Sequence, residues 1–425
     1  MTPRLSDRAT ARAMALLGAL SLFLSAVDYL LPKPLPFMRI GLANLSLLLA
    51  LSIPAGRGNR AYGEGNADFS GGTDLPGQAA RPLFSPQSYC LLALLKVTGQ
   101  AFITGHFLSY VFLFSLAGSA VSAAVMYGLR RLFGVHIGLA GISVAGAFAS
   151  NSVQLVLARF FLFGESAVYL APPFLIAGIV SGAALGIFAE AFAAQSRFLR
   201  DVAEARKEPQ AGPAEKTALR SLNRRQAGQR HNVRPPVKPT RLLPLFRFFS
   251  GLVAAIVFLA VPSLIVKTAL FFPVLLLAVF AAPAGKKPRL PVTLAVITGI
   301  VVCNLFPPFG RIFATAGPFT IALGSLESGV RKALNFEGLV MLSKLVVPAN
   351  MSLPGAFGKL LAETFRILEK LNKHRGLLTG RSAAKNGPDN DGTSGIHENS
   401  ADNSAQKKRF MERLDKLLLE LNAGS

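Results

Sequence analysis

Residues 137–163 read IGLAGISVAGAFASNSVQLVLARFFLF, an apolar run of 27 residues with one charged side chain, Arg159. About 20 apolar residues in a helix cross the hydrocarbon core of a bilayer, so this run is long enough to span a membrane. A second long apolar run, residues 168–194, follows after a short interval. The two runs are therefore predicted to be consecutive membrane helices.

Similar runs recur on both sides of this pair. Four precede it, at residues 13–31, 40–54, 88–105 and 107–129, and three follow the basic region after it, at 243–261, 263–282 and 291–307. Asp28 and Tyr29 fit a small-residue cleavage site poorly, which favours a span over a secretory signal for the first run. Only 16% of the chain is charged, against about 25% in soluble domains. The composition therefore excludes an ordinary soluble protein.

The basic residues predict an orientation. The chain has 45 Lys and Arg against 22 Asp and Glu, and the arginines cluster at the ends of apolar runs. Arg130 and Arg131 end the fourth predicted span, and Arg197 and Arg200 follow the sixth. Both pairs lie on the cytoplasmic side if the N-terminus is cytoplasmic. We expect a multi-pass protein of the inner membrane with a cytoplasmic N-terminus, which contacts the lipid bilayer and no nucleic acid.

The pattern predicts an all-α polytopic membrane protein with two membrane modules. Two stretches in the second module, residues 324–347 and 355–373, carry amphipathic stripes typical of helices at a membrane surface or against a partner. The predicted divisions are a six-helix membrane domain at 10–195 with an insertion loop at 55–87, a basic cytoplasmic linker at 196–242, a second membrane domain at 243–373, a disordered tail at 379–406 and an amphipathic helix at 407–421.

Polar side chains inside apolar runs are costly in a membrane and often mark a functional site. Lys96 and Gln100 share one helix face, and Asn151 and Gln154 share another. Asp28, also in an apolar run, belongs to the same class of costly residues. These groups favour a pocket for a small anionic or amide-bearing ligand, although hydrogen bonds between helices would explain each one alone. The candidate substrate-binding residues are Arg39, Asn44, Lys96, Gln100, Asn151 and Gln154.

Several kinds of catalytic chemistry lack their motifs. The segment nearest to a phosphate-binding P-loop, residues 355–359, has the wrong spacing and lacks the following Ser or Thr. The clustered aspartates Asp389 and Asp391 lie in the predicted tail, so an aspartate-rich magnesium–diphosphate site is not expected. Cys90 and Cys303 are far apart in the sequence, and the histidines show no ligand spacing. The sequence predicts no enzyme activity, no metal and no cofactor.

The first apolar run also carries small residues at four-residue intervals, Ala11, Ala15 and Ala19. Small residues at this spacing let two helix backbones approach closely. These alanines are predicted to dock a partner helix.

The first module resembles a known family. The segments RIGLANLSLLLAL at 39–51, LLKV at 94–97, GHFLSY at 105–110 and GISVAGA at 141–147, followed by Asn151, closely resemble the Gx transporter family, also called heptaprenyl diphosphate synthase component I. The resemblance covers about residues 10–195. It implies the fold of an S component of energy-coupling factor (ECF) transporters, a six-helix bundle that binds a small substrate and engages its membrane partner through the first helix. Lys96 stands where many relatives carry Arg.

The second module resembles the T component of the same transporters through EGLVMLSK at 337–344 and LPGAFGKL at 353–360. In T components, long helices of this kind seat on ATPase subunits and end in a small-Arg-small triplet. Here the nearest match contains Ser343 and Lys344. The resemblance implies uptake driven by ATP hydrolysis on separate ATPase subunits.

Two other readings remain open. The first alternative is a non-catalytic accessory subunit of polyprenyl diphosphate synthesis. The second is a structural membrane protein that binds no ligand.

Overall fold

The computed structural model describes residues 5–30, 41–53, 84–204, 242–282, 287–316, 319–346, 355–373 and 399–423. Within these ranges the chain is mostly helical. Four stretches are long and apolar enough to cross a membrane, namely Ala11–Asp28, Tyr110–Phe133, Leu139–Gln195 and Leu264–Ala281. The predicted site residue Arg39 and most of the predicted insertion loop lie outside the described residues.

The described residues of the predicted first module form six α-helices that pack around a Leu- and Ala-rich core. They are α1 Leu5–Leu30, α2 Leu45–Ser52, α3 Pro86–Thr104, α4 Tyr110–Phe133, α5 Leu139–Ala158 and α6 Ala167–Gln195. The described part of the second predicted span forms only a 3-10 turn, Leu42–Asn44, and the eight-residue α2. Eight residues rise about 12 Å, too little to cross a bilayer as a helix. Because α2 is apolar all round, it is buried in the bundle.

Helices α5 and α6 form an antiparallel hairpin within the 57-residue apolar stretch. A π-helical turn, Arg159–Phe163, and a 3-10 turn, Gly164–Ser166, join them. Gly186 of α6 lies against the backbone of Ala140, where a Cβ atom would overlap it. The glycines of α6 thus allow the close helix approach that small residues permit in membranes.

The described residues of the predicted second module form five α-helices and one short β-hairpin. The helices are α8 Leu242–Ala260, α9 Leu264–Ala281, α10 Leu290–Asn304, α11 Leu323–Val346 and α12 Gly355–Lys373, and the strands are β1 Ile312–Ala316 and β2 Phe319–Ala322. The two strands pair antiparallel and add a short hairpin to a structure that is mostly helical, as the sequence predicts. Both strands contain the β-branched and aromatic residues that favour extended backbone.

The amphipathic helix α12 packs on the first module, against α1 and α3. Its predicted apolar face is the buried face, and Leu361, Thr364, Leu368 and Leu371 all lie within the protein. Lys359 and Arg366 are exposed. The apolar face of α12 therefore packs against other helices of the same chain.

Two predicted irregular segments are partly helical. Helix α7, Arg197–Glu204, occupies the start of the predicted linker 196–242, because its apolar residues Phe198, Leu199 and Val202 are buried. Helix α13, Asn399–Ala423, begins eight residues before the predicted start at 407. Its first four residues include Asn399, Ser400 and Asp402, which are of the types preferred at helix N-termini and so favour the longer helix.

Asp415 joins these two helices. Its carboxylate accepts hydrogen bonds from the backbone N–H groups of Arg197 (2.9 Å) and Phe198 (3.1 Å) and from the hydroxyl of Ser196. The first N–H groups of a helix lack partners within the helix, so a side chain of α13 caps α7. Leu414, Leu417, Leu418 and Leu421 bury the apolar face of α13.

Asp415→Asn is expected to loosen α7. An amide offers one acceptor oxygen and no charge, so part of the cap is lost at a cost of about 1–3 kcal/mol. Amide hydrogen exchange should accelerate about tenfold or more in peptides covering 197–204, since about 1.4 kcal/mol is a factor of ten. The control Glu420→Gln changes an exposed carboxylate of the same helix. Equal exchange in both variants would show that Asp415 does not hold α7.

Candidate functional site

A polar cavity of about 50 Å³ lies among the helices of the first module. Five of the six predicted substrate-binding residues line it, which are Asn44, Lys96, Gln100, Asn151 and Gln154. The sixth, Arg39, lies outside the described residues. Residues spread over more than 100 positions in the sequence thus meet around one hollow.

Lys96 lies in the middle of α3 with 6% of its surface exposed. Its ammonium donates a hydrogen bond to Oδ1 of Asn44 and approaches Oγ of Ser119 at 3.4 Å. A buried ammonium is costly unless such groups compensate for lost water. Gly41 has a φ of 83°, a left-handed conformation that favours glycine, at the start of the turn that carries Asn44.

The carboxamides of α5 line the opposite part of the cavity wall. Nδ2 of Asn151 donates to the carbonyl oxygen of Phe174 at 3.1 Å and so ties α5 to α6. Nε2 of Gln154 donates to Oγ of Ser150 at 2.9 Å. The bond from Asn151 also stabilises the helix pair by itself, so this residue holds the wall of the cavity whether or not a ligand binds.

Sequence reasoning missed several residues of the cavity wall. Asp28, noted only as a polar residue in an apolar run, lines the cavity and is 4% exposed. Ser25 lies one turn before it on the same face of α1, and its buried Oγ has no hydrogen-bond partner in the described part of the chain. Its spacing of three residues from Asp28 places it on the same helix face, but serine is too common in apolar runs for this spacing to single it out. The other missed polar residues are Ser115, Ser119, Ser150 and Ser181.

Two of the three predicted docking alanines face the interior of the protein. Ala15 and Ala19 are buried, whereas Ala11 is exposed. A Cβ atom added to Gly18, between them, would lie 2.6 Å from Leu95 of α3 and 3.3 Å from Thr364 of α12. The small residues of α1 thus permit close packing, and the helices packed there belong to the same chain.

Ser343 and Lys344, predicted to dock an ATPase subunit, also lie inside the protein. Oγ of Ser343 accepts a hydrogen bond from the N–H of Leu108 at 2.9 Å, and Ser343 has no exposed surface. Lys344 is 9% exposed. Because Ser343 lies against Leu108, a separate subunit would reach this serine only after α11 had moved away from the first module.

The described residues hold no group of three or more His, Cys, Asp or Glu side chains placed to bind a metal ion. The polar groups around the cavity are one carboxylate, one ammonium, carboxamides and hydroxyls. Such groups bind a polar ligand by hydrogen bonds and charge.

Fold and site together define a helical protein with apolar segments long enough to span a membrane and a polar cavity between its helices. Residues 79–192 match the family model of heptaprenyl diphosphate synthase component I, and residues 243–349 match a domain of unknown function, DUF8519. No curated protein and no solved structure matches the chain.

The first match confirms the family part of the resemblance over α3 to α6. It does not reach α1, which supplies Ser25 and Asp28 to the cavity, or the 3-10 turn before α2, which supplies Asn44. The matched family is named as one component of a synthase, which is consistent with protein partners. Neither match names an S component or a T component.

Proposed function

We propose that the chain is a membrane transport component that binds a small polar substrate in the cavity of the first module. The observation that carries this proposal is the convergence of Asn44, Lys96, Gln100, Asn151 and Gln154 on one hollow. Polar groups within membrane helices are expensive to bury, and those that persist typically line a ligand or ion path. A polar substrate that replaces water in the cavity would form hydrogen bonds with these buried groups.

In this proposal residues 10–195 act as an S-like binding domain and residues 243–373 as a T-like domain. The contacts between them support it, since the ring of Tyr110 stacks on Phe336 and Ser343 binds the backbone of Leu108. Helix α12 lies on α1, where an S component would receive its membrane partner. ATPase subunits encoded elsewhere would drive movement of the T-like domain, in the inner membrane with the N-terminus in the cytoplasm.

Binding and uptake experiments test the proposal. Lys96→Ala removes the ammonium from the cavity and Asn151→Ala removes a carboxamide, so each variant should lower uptake of a transported substrate into vesicles about tenfold or more, as expected for losing a hydrogen bond from a charged or buried group. Lys408→Ala, which removes an exposed lysine of α13 outside both proposed domains, serves as the control. Unchanged uptake in both cavity variants would remove these residues from the site.

The family match favours a second candidate function, a non-catalytic accessory subunit of polyprenyl diphosphate synthesis. Gentle solubilisation of membranes and purification of the intact chain separate the two. Recovery of ATPase subunits supports transport. Recovery of a soluble prenyl synthase without an ATPase supports the accessory role.

A further inference from the structure

The charges around the cavity specify its ligand further. Building on the proposed function, we propose that the substrate is a molecule without net charge, either an uncharged amide-like compound or a zwitterion, with only a few non-hydrogen atoms. This narrows the expectation from the sequence, which included anions because it placed Lys96 in the pocket without Asp28.

Asp28 and Lys96 both line the cavity from different helices, and they are 4% and 6% exposed. They are the charged side chains among the described residues of the wall, so the formal charge of this described part of the wall is zero. Charges interact strongly and are poorly screened away from water. A ligand with a net charge would leave that charge without compensation in the bundle, whereas a neutral or dipolar ligand would not.

The remaining wall groups call for a ligand that both donates and accepts hydrogen bonds. The hydroxyl of Ser25 is buried without a partner among the described residues, and it lines the same cavity. A buried hydroxyl in this state gains from any polar group brought to it. The carboxamides of Gln100, Asn151 and Gln154 combine donor and acceptor atoms, as do the neighbouring serines.

The volume limits the size of the ligand. A cavity of about 50 Å³ holds about four water molecules, at about 10–15 Å³ each on this measure. Many ligand pockets are several times larger, at about 300–1,000 Å³. The cavity as it stands therefore suits a compound of a few non-hydrogen atoms.

Three compounds of nearly the same shape test the charge directly. Acetamide is neutral, acetate is an anion and acetamidinium is a cation, and glycine adds a zwitterion. Each is added at equal ionic strength to the full chain in detergent while the thermal unfolding midpoint is followed. Binding to the folded state raises that midpoint. Acetamide and glycine should raise it, and the two ions should not.

Charge variants should redirect the preference. Asp28→Asn removes the negative charge of the described wall and leaves its positive charge in place, so acetate should then stabilise the protein more than acetamide does. In Lys96→Gln, acetamidinium should stabilise the protein more than acetamide does. Ser25→Ala should weaken acetamide binding without changing the preference for neutral probes. Stabilisation of the unmodified chain by acetate or acetamidinium alone would overturn the proposal and leave binding at the cavity standing. If no probe of any charge stabilises the unmodified chain, both this proposal and the binding function fail.

Discussion

Gly178→Ala is expected to lower ligand binding at the cavity at least tenfold while the helices stay folded. Gly178 lies in α6 and lines the cavity opposite Asn151. A Cβ atom at this position would overlap Nδ2 of Asn151, and all three of its nearest atoms belong to that side chain. Because the end of a side chain moves more easily than backbone, the carboxamide of Asn151 should rotate away.

This rotation weakens ligand binding more than it weakens the fold. Rotation breaks the hydrogen bond from Asn151 to the carbonyl oxygen of Phe174 and removes the carboxamide from its place in the wall. Alanine is also a better helix former than glycine by about 1 kcal/mol, which offsets part of the lost hydrogen bond of about 0.5–1.5 kcal/mol. Overall stability should therefore change little although binding is lost.

Gly128→Ala is the matched control. Gly128 lies in α4, and a Cβ atom there would meet nothing within 4 Å. The two substitutions are chemically identical, so binding measured by thermal stabilisation with the same ligand isolates the contact with Asn151. Normal binding by Gly178→Ala would show that the position of this carboxamide does not matter to the ligand.

The residues of the cavity wall could be predicted from the sequence only in part. Asn151 and Gln154 were recognisable because a carboxamide is conspicuous in an apolar run and because helical spacing places the two on one face. Ser25 was not, since serine is common in membrane helices and nothing local distinguishes a serine in a cavity wall from one bonded to its own helix. The neutral charge of the wall also depends on the meeting of α1 with α3, a long-range contact.

The contacts between helices could not be predicted from the sequence either. The stripe of α12 was predictable, and so was the small-residue face of α1, but no local pattern says that these two faces meet. Helix α2 looked like a span because an apolar segment buried in protein has the same composition as one buried in lipid. Asp415 likewise gave no sign that it would cap a helix more than 200 residues away.

Asn304→Leu is expected to loosen the junction between the two modules. Asn304 ends α10, where its Nδ2 donates to the carbonyl oxygens of Leu162 and Ile300, each at 2.7 Å. Its Oδ1 accepts from the ammonium of Lys332 at 2.9 Å. One carboxamide at the end of α10 thus binds its own helix, the neighbouring helix α11 and the π-helical turn Arg159–Phe163.

Leucine has a similar size and can make none of these bonds. The substitution leaves the carbonyl of Leu162 and the ammonium of Lys332 without this partner, at about 1–3 kcal/mol for each group, so the free energy of unfolding should fall by about 2–5 kcal/mol. The double variant Asn304→Leu, Lys332→Met should be more stable than the sum of the single changes predicts, because no ammonium is then left behind. Additive losses would show that Asn304 and Lys332 do not act as a pair.

The same variant connects the junction to the cavity. Leu162 lies in the π-helical turn that directly follows α5, and α5 carries Asn151 and Gln154. Turns of this kind occur frequently at functional sites. If the second module acts on the substrate through this turn, Asn304→Leu should change ligand affinity although Asn304 does not line the cavity. The affinity is measured at a temperature where the variant is fully folded. If it is unchanged, movement of the second module reaches the cavity through another contact. The packing of α12 against α1 is then the next contact to test.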